Sequence, residues 1–250
     1  MAEAWIEVDH LVAHYGDTLV LDDVSLAVNR SEIFLIIGGS GCGKTTLIKH
    51  MTGLLKPTSG SVRHGGVEIT SLEEDRLAEV QRGIGIAFQS GGLFNSMTVG
   101  ENVALPLREY GQVDDNLIEG IVRMKLSLVG LAGAQHLLPE QLSGGMRKRA
   151  SLARALALDP PVVYFDEPSA GLDPIIASGL DNLIIELNKL LGITFIIVTH
   201  ELASIRIIAH RAVMLDKGRV IFSGTTEEAE KAGPPRVRQF FERRPDEFIM

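Results

Sequence analysis

Three short apolar runs stand out from the hydrophobic and polar pattern of the chain. They are rich in β-branched and aromatic residues and cover positions 33–37, 162–165 and 194–198. Each run is continuously apolar, which is typical of strands covered on both faces in a parallel sheet. Between the second and third runs, leucine and isoleucine recur at spacings of three and four over 180–190, which predicts a helix. The pattern therefore predicts an α/β protein.

The remaining segments differ from these buried runs. The stretches 8–13, 18–21, 24–28 and 60–69 resemble short strands joined by turns and indicate an antiparallel β flank. From about 90 to 158 the pattern is helical, with the best helices over 114–128 and 143–158 and a break at Pro139. We interpret this region as a helical insertion in a mostly parallel α/β core. Pro234 and Pro235 are expected to close the regular part and leave a tail, 236–250.

The charge balance of the chain is acidic. Among 250 residues, 24 are Lys or Arg and 32 are Asp or Glu, which gives a formal net charge of −8. This balance disfavours non-specific attraction to nucleic acid or to an anionic bilayer. No run of about 18 apolar residues occurs, so the sequence predicts no membrane-spanning helix. Work at a membrane would therefore require a docking protein.

A glycine-rich segment follows the first apolar run. Residues 38–45 read Gly-Gly-Ser-Gly-Cys-Gly-Lys-Thr and match G-x-x-x-x-G-K-[ST] before a predicted helix, 46–53. Glycines let successive N–H groups turn inward and approach phosphate oxygens, and the helix adds its positive N-terminal end. Lys44 is expected to reach the β and γ phosphates of ATP, and the Thr45 hydroxyl to ligate Mg²⁺. The expected nucleotide-binding residues here are Gly38, Gly39, Ser40, Gly41, Cys42, Gly43, Lys44, Thr45 and Thr46.

Cys42 is the only cysteine and lies at the entrance of this predicted helix. A lone cysteine forms no internal disulfide, and a reducing compartment is the expected one. Its position allows two interpretations. Either the helix entrance lowers the pKa of the thiol, or the position simply tolerates a small side chain.

Polar side chains also end the other two apolar runs. Asp166 and Glu167 follow the second run and His200 follows the third, while Gln89 ends the shorter stretch 85–88. Ligands of open α/β sheets bind at the carboxyl ends of the strands, so one site is expected from these distant segments and the glycine-rich loop. Asp166 suits Mg²⁺, directly or through water. Glu167 suits the base that polarises an attacking water, and His200 the γ phosphate or that water. The Gln89 amide is able to contact both metal and water.

A second glycine pair carries a resemblance to a known family. The residues Leu-Ser-Gly-Gly-Met over 142–146 resemble the signature of the ABC transporter ATPases, in which Gln usually follows the two glycines. Ser143 is expected to cap a helix that begins with Gly144 and Gly145, which makes a second anion-binding helix N-terminus. Met146 departs from the usual Gln. The order of the phosphate loop, this signature and the acidic pair resembles the family from about residue 5 to 225.

The resemblance implies a P-loop NTPase fold and roles for further residues. Tyr15 matches the aromatic residue that stacks on adenine, Gln89 the glutamine that links nucleotide to the transmembrane partner, and His200 the switch histidine. The residues Ser-Ala-Gly-Leu-Asp over 169–173 resemble the loop that communicates across the dimer. In that family two subunits enclose two ATP molecules, and each site combines one chain's phosphate loop with the other chain's Ser143, Gly144 and Gly145.

The resemblance narrows to one branch of that family. The segments 93–99, 142–148 and 235–240 are similar to the ATPases of Mla/MCE-type phospholipid transporters. The implied assembly is a homodimer with a transmembrane permease, an MCE-type lipid-binding protein and a small STAS-type accessory subunit, at the cytoplasmic face of the inner membrane. An importer of a polar solute such as an amino acid stays open as an alternative. A soluble ABC ATPase acting on nucleic acid or ribosomes is disfavoured, since no coiled-coil insertion, second ATPase domain or basic surface is evident.

The expected organisation is one ABC ATPase domain over 1–227, with a tail over 228–250. Within it the α/β core covers about 1–89 and 159–227, and the helical subdomain about 90–158. The basic residues 147–149 are expected on a solvated face of the signature helix. The tail alternates Val237, Phe240 and Phe241 with arginines. It is expected either to fray or to contact a neighbouring subunit.

Overall fold

The structure is a computed structural model that describes residues 4–88, 92–110 and 113–245. Within these ranges the strands, in chain order, are β1 (Ala4–Tyr15), β2 (Thr18–Asn29), β3 (Ile33–Gly38), β4 (Ser59–His64), β5 (Val67–Glu68), β6 (Ile84–Ala87), β7 (Val162–Asp166), β8 (Thr194–Val198), β9 (Arg211–Asp216) and β10 (Arg219–Gly224).

The helices of the described residues are, in chain order, α1 (Lys44–Met51), α2 (Glu74–Arg82), α3 (Val99–Tyr110), α4 (Asp115–Leu128), α5 (Gly144–Ala155), α6 (Pro174–Leu191), α7 (Leu202–Ile208), α8 (Thr226–Ala232) and α9 (Pro235–Phe241). Two short 3₁₀ turns, Ala134–His136 and Pro139–Gln141, lie between α4 and α5. None of the helices in these ranges is long and apolar enough to cross a membrane.

The chain divides into two compact units. Unit 1 comprises Met1–Ser71 and Val198–Met250, and unit 2 comprises Leu72–Ile197. Unit 2 contains strands β6 and β7 and most of β8 as well as helices, so it is larger than the helical subdomain expected over about 90–158. The boundaries of that subdomain stay a prediction.

Unit 1 contains an antiparallel sheet with the strand order β2-β1-β4-β5. This sheet is the predicted antiparallel flank. The sequence predicts two short strands here, 18–21 and 24–28, with a break between them. The structure instead has one continuous strand, β2. Asp23 there has a φ of +57° and accepts a hydrogen bond from His10 Nδ1 across the β1–β2 pair at 2.6 Å. A bulge thus absorbs the polar residues without ending the strand.

The phosphate-loop strand β3 belongs to the same unit. It is buried over its whole length and pairs in parallel with β9, from Phe34 opposite Arg211 to Gly38 opposite Leu215. Burial on both faces explains why its sequence is continuously apolar. The antiparallel strand β10 completes this part of unit 1 beyond β9.

Unit 2 contains the other two strands whose sequences were continuously apolar. β7 and β8 are fully buried, and β6 pairs in parallel with β7 from Ile84 opposite Val162 to Ala87 opposite Phe165. All three apolar runs are therefore strands, as predicted. The predicted helices are present as α4, α5 and α6.

The tail after Pro234 is helical rather than frayed over α9. Pro235 occupies the first helical position, where its missing N–H costs nothing. Val237 and Phe241 are buried within unit 1, where α9 contacts α8. The expectation that the regular structure closes at the two prolines is wrong, because Pro235 starts a helix. Two of the three apolar tail residues are covered by their own chain.

Candidate functional site

The backbone of the loop after β3 requires glycine at two positions. Gly38 has a φ of +145°, and a Cβ there would lie 2.3 Å from the carbonyl oxygen of Leu215. Gly43 has a φ of +104°, and a Cβ there would lie 2.7 Å from Leu21 Cδ2. Residues with side chains rarely adopt these conformations, and at Gly38 the backbone oxygen of Leu215 also leaves no space for a methyl group. The loop geometry therefore depends on the glycines that identified it in the sequence.

Lys44 lies inside this loop at the first position of α1. Its ammonium donates hydrogen bonds to the carbonyl oxygens of Gly38 at 2.9 Å and Gly39 at 2.8 Å. The side chain is buried, whereas the loop tip at Ser40 is exposed. Thr45 follows in the first turn of α1, which contains no acidic residue. A cation and a positive helix end thus lie at one exposed loop, which is the arrangement that binds phosphate.

Cys42 is not an activated thiol. Its side chain is only 6% exposed. Burial raises the pKa of the Cys42 thiol, against the opposing charge of Lys44. The interpretation in which the helix entrance lowers this pKa is wrong, because desolvation outweighs the nearby charge. Cys42 is a small side chain that packs beneath the loop.

His200 lines the same cleft as the start of the phosphate loop. A cleft of about 730 Å³ within unit 1 is lined by Gly38, Gly39, Ser40 and His200, together with residues of α7 and the tail. Thr199, next to His200, donates its backbone N–H to the carbonyl oxygen of Ile36 in β3 at 3.4 Å. Unit 1 therefore brings together two of the segments that the sequence assigned to one site.

Tyr15 and Gln89 are two further residues that the sequence predicts beside the nucleotide. Tyr15 ends β1 at a tight turn, and 77% of its surface is exposed. An exposed aromatic ring is able to stack on a base. Gln89 lies outside the described residues. Its predicted role stays a prediction.

The acidic pair lies in unit 2, at the end of β7. Asp166 is the last residue of the strand and Glu167 follows it with a φ of +50°, and both are buried. A positive φ is uncommon in a residue with a side chain and costs free energy, so the surroundings must hold it. The pair stands where the sequence predicted, with the backbone turning sharply at Glu167.

The signature segment forms a capped helix in the same unit. Ser143 Oγ accepts a hydrogen bond from the backbone N–H of Met146 at 3.3 Å and caps α5, as predicted. Gly145 packs so tightly on α6 that a Cβ would lie 2.4 Å from Ile176 Cγ2. Met146 contributes its backbone N–H to the cap, a role that does not need the usual Gln.

The basic residues 147–149 do not form a solvated face. Lys148 is 7% exposed, and its ammonium donates a hydrogen bond to the backbone carbonyl oxygen of Glu167 at 2.8 Å. Arg149 donates to the carbonyl oxygens of Val129 at 2.9 Å and Gly179 at 3.1 Å. The sequence interpretation is wrong here because α5 packs against α3, α4, α6 and β6, and only Arg147 of the three is exposed.

The packing at Gly145 allows a stability prediction. Gly145→Ala is expected to destabilise unit 2 by about 1–3 kcal/mol, because the added methyl group overlaps Ile176. Gly120→Ala, in α4 with nothing within 4 Å of the new Cβ, is the control and is expected to leave stability unchanged or raise it. Urea unfolding followed by circular dichroism measures both. A Gly145→Ala protein as stable as the parent would contradict the packing.

These features define a class of protein: a P-loop ATPase with a glycine signature helix. The chain belongs to the ABC transporter family, since the family model with that description matches residues 21–170.

Curated relatives cover almost the whole chain. The chain is 43% identical to an intermembrane phospholipid transport system ATP-binding protein, MlaF, of Haemophilus influenzae, over 96% of this chain and 91% of the relative. It is 42% identical to the MlaF protein of Escherichia coli K12, over 91% of this chain and 84% of the relative. A probable ribonucleotide transport ATP-binding protein of Mycobacterium tuberculosis is 39% identical, over 94% of this chain and 66% of the relative.

Solved structures show the same fold. The dimeric ATP-binding cassette MJ0796, in a post-hydrolysis state bound to ADP and Pi, matches with a TM-score of 0.81 at 30% identity, over 88% of this chain and 98% of that one. The protein cbiO1 of Clostridium perfringens, part of an ABC transporter complex, matches with a TM-score of 0.84 at 30% identity, over 92% of each chain. The P-loop ABC ATPase fold predicted from the sequence is confirmed.

Proposed function

We propose that this chain is the ATP-hydrolysing subunit of a membrane transporter that moves phospholipids. The observation that carries this proposal is the phosphate loop around Lys44, in a chain that is 43% identical to a phospholipid transport ATP-binding protein over 96% of its length. The phosphate loop supports ATP binding, and the similarity to this relative supports phospholipid as the transported cargo.

The chemistry of the residues in each unit indicates a separate role for each of them. Lys44 and the N–H groups of the loop bind the β and γ phosphates, and the ring of Tyr15 stacks on the base. Glu167 accepts a proton from the attacking water while His200 contacts the γ phosphate or the water. Ser143 and the two glycines of α5 present a second positive helix end to the phosphates of the nucleotide held by a partner copy.

A divalent metal fits the donor set. The Thr45 hydroxyl and the Asp166 carboxylate are hard oxygen ligands, and Gln89 adds an amide oxygen. No group of three or more His, Cys, Asp or Glu suited to a metal occurs in the described ranges 4–88, 92–110 and 113–245. Mg²⁺ takes few protein ligands and completes its shell with phosphate oxygens and water. Bound there, Mg²⁺ would neutralise charge on the phosphates.

The assembly follows the same proposal. Two copies of this chain bind ATP between them, and their closing and opening is passed to a transmembrane permease. An MCE-type lipid-binding protein and a STAS-type subunit complete the transporter, which would place this chain peripherally at the cytoplasmic face of the inner membrane. ATP drives the cycle because it binds the closed and open dimers with different affinities.

The test is purification of the tagged chain from detergent-solubilised membranes of its own organism, with partners and phospholipid both quantified. The expected result is a stoichiometric membrane-spanning protein and phospholipid above the level of a mock purification. A parallel purification of an unrelated tagged ABC ATPase is the control. Recovery with ribosomes, nucleic acid or a solute-binding protein, and with no excess phospholipid, would contradict the proposal.

A further inference from the structure

Lys148 is a buried cation on the signature helix α5. Its side chain is 7% exposed, and its ammonium donates to the carbonyl oxygen of Glu167 at 2.8 Å. Burying an ammonium is costly unless it is paired and hydrogen-bonded. Burial lowers the pKa of Lys148, and the negative charges of Asp166 and Glu167 oppose that shift. Two acidic side chains thus offset part of the free-energy cost of burying this ammonium.

The residue whose carbonyl oxygen accepts this bond, Glu167, has an unfavourable backbone conformation. Glu167 has a φ of +50°, a conformation that side-chain-bearing residues seldom adopt unless surrounding contacts impose it. The carbonyl oxygen that Lys148 binds belongs to this strained residue. The next turn is linked to it as well, since Ala170 donates its N–H to the same carbonyl oxygen at 3.3 Å.

We propose that Lys148 is a positioning residue for ATP hydrolysis, which fixes the backbone of Glu167 and thereby the direction of its carboxylate. This inference rests on the proposed function, in which Glu167 is the base. It also makes a physical link between two motifs. Lys148 lies five residues after the cap Ser143, on a rigid helix, so the helix end that meets a nucleotide is tied to the residue that activates water.

The link predicts a loss in turnover without a matching loss in binding. Lys148→Met keeps the aliphatic stem and removes the donor, so the carbonyl oxygen of Glu167 loses the charged one of its two hydrogen-bond donors. We expect kcat to fall about 10- to 100-fold, the usual result of misplacing a reacting group, while KM for ATP changes less than about threefold. Lys148→Arg restores a cationic donor and is expected to retain kcat within about threefold. Lys148→Gln, whose amide is too short, repeats the loss if the Met variant folds poorly.

A neighbouring arginine supplies the matched control. Arg149 also ties α5 to backbone carbonyl oxygens, but those belong to Val129 and Gly179 and not to the acidic segment. Arg149→Met is expected to lower the melting temperature while the folded protein keeps its kcat. A purely structural role for Lys148 would give the Lys148 and Arg149 variants the same pattern.

The decisive experiment combines Lys148→Met with Glu167→Gln in the full chain. If Lys148 acts through the Glu167 carboxylate, the double variant hydrolyses ATP no more slowly than Glu167→Gln alone. Multiplying losses, or a wild-type kcat in Lys148→Met, would overturn the inference while leaving the ATPase intact. No hydrolysis by the wild-type protein or its purified transporter complex would instead refute the proposed function itself.

Discussion

Glu167→Gln is expected to lower kcat for ATP hydrolysis about 10²- to 10⁴-fold, the range that a positioned general base contributes. The substitution keeps the shape of the side chain and removes only its ability to accept a proton. The bond from Lys148 is to the backbone carbonyl oxygen of Glu167, so the local fold is expected to survive. ATP binding should persist, and two copies should be trapped in the ATP-bound, closed dimer.

Phosphate release measures the loss of turnover, and size-exclusion chromatography with Mg·ATP measures the dimer. The control is Glu186→Gln, the same chemical change at an exposed position of α6 in the same unit. It is expected to hydrolyse ATP at the parent rate. A Glu167→Gln protein with wild-type turnover would remove Glu167 from the role of base.

Lys44→Ala is expected to fail at an earlier step, the binding of the nucleotide. The variant removes the one ammonium inside the phosphate loop, and a hydrogen bond to a charged group contributes about 1.5–3 kcal/mol. We therefore expect the Kd for Mg·ATP to rise about 10- to 100-fold, with hydrolysis lost as a consequence. The two substitutions therefore test different steps. Glu167→Gln should bind ATP without hydrolysing it, and Lys44→Ala should scarcely bind ATP.

Fluorescence titration with a labelled ATP analogue measures the affinity of this variant. Lys49→Ala, on the same helix α1 but in its last turn, is the control and is expected to bind like the parent. Because Lys44 also bonds the carbonyl oxygens of Gly38 and Gly39, a melting curve should accompany the titration. Parent-like affinity in a folded Lys44→Ala protein would show that the loop does not hold the phosphates.

Much of the fold followed from the sequence because burial leaves a clear pattern. β3, β7 and β8 are covered on both faces, so their sequences are continuously apolar and stand out in the chain. The phosphate loop was predictable for a different reason. Gly38 and Gly43 both have a positive φ, and a Cβ at Gly38 would also overlap the carbonyl oxygen of Leu215, so the loop requires glycine and its residue types reveal it in the sequence.

Other features depend on contacts that a pattern does not contain. Arg-Lys-Arg over 147–149 has the composition of a solvated surface, yet Lys148 is buried. Its acceptor, the carbonyl oxygen of Glu167, lies 19 residues further along the chain, so the local pattern does not reveal this contact. The thiol of Cys42 shows the same limit: a helix entrance predicts a lowered pKa, and only its burial reverses the sign. In the tail, two consecutive prolines predict the end of regular structure, although Pro235 begins α9.

The convergence of the phosphate loop with Asp166 and Glu167 on one nucleotide stays a prediction from strand order and family. Within unit 1 the loop and His200 share a cleft. Within unit 2 the acidic pair and the signature helix are tied through Lys148. Each unit therefore contains one half of the predicted site, and substitutions in the full chain test the two halves separately.

Nucleotide binding by the glycine-rich loop is tested most directly by a calorimetric titration of the purified chain with Mg·ATP, Mg·ADP and AMP. The loop around Lys44 is expected to read the β and γ phosphates, so ATP and ADP should give saturable heat and AMP should give none. Absence of saturable heat with Mg·ATP, or equal affinity for AMP, would contradict the claim that this glycine loop is a triphosphate-binding site.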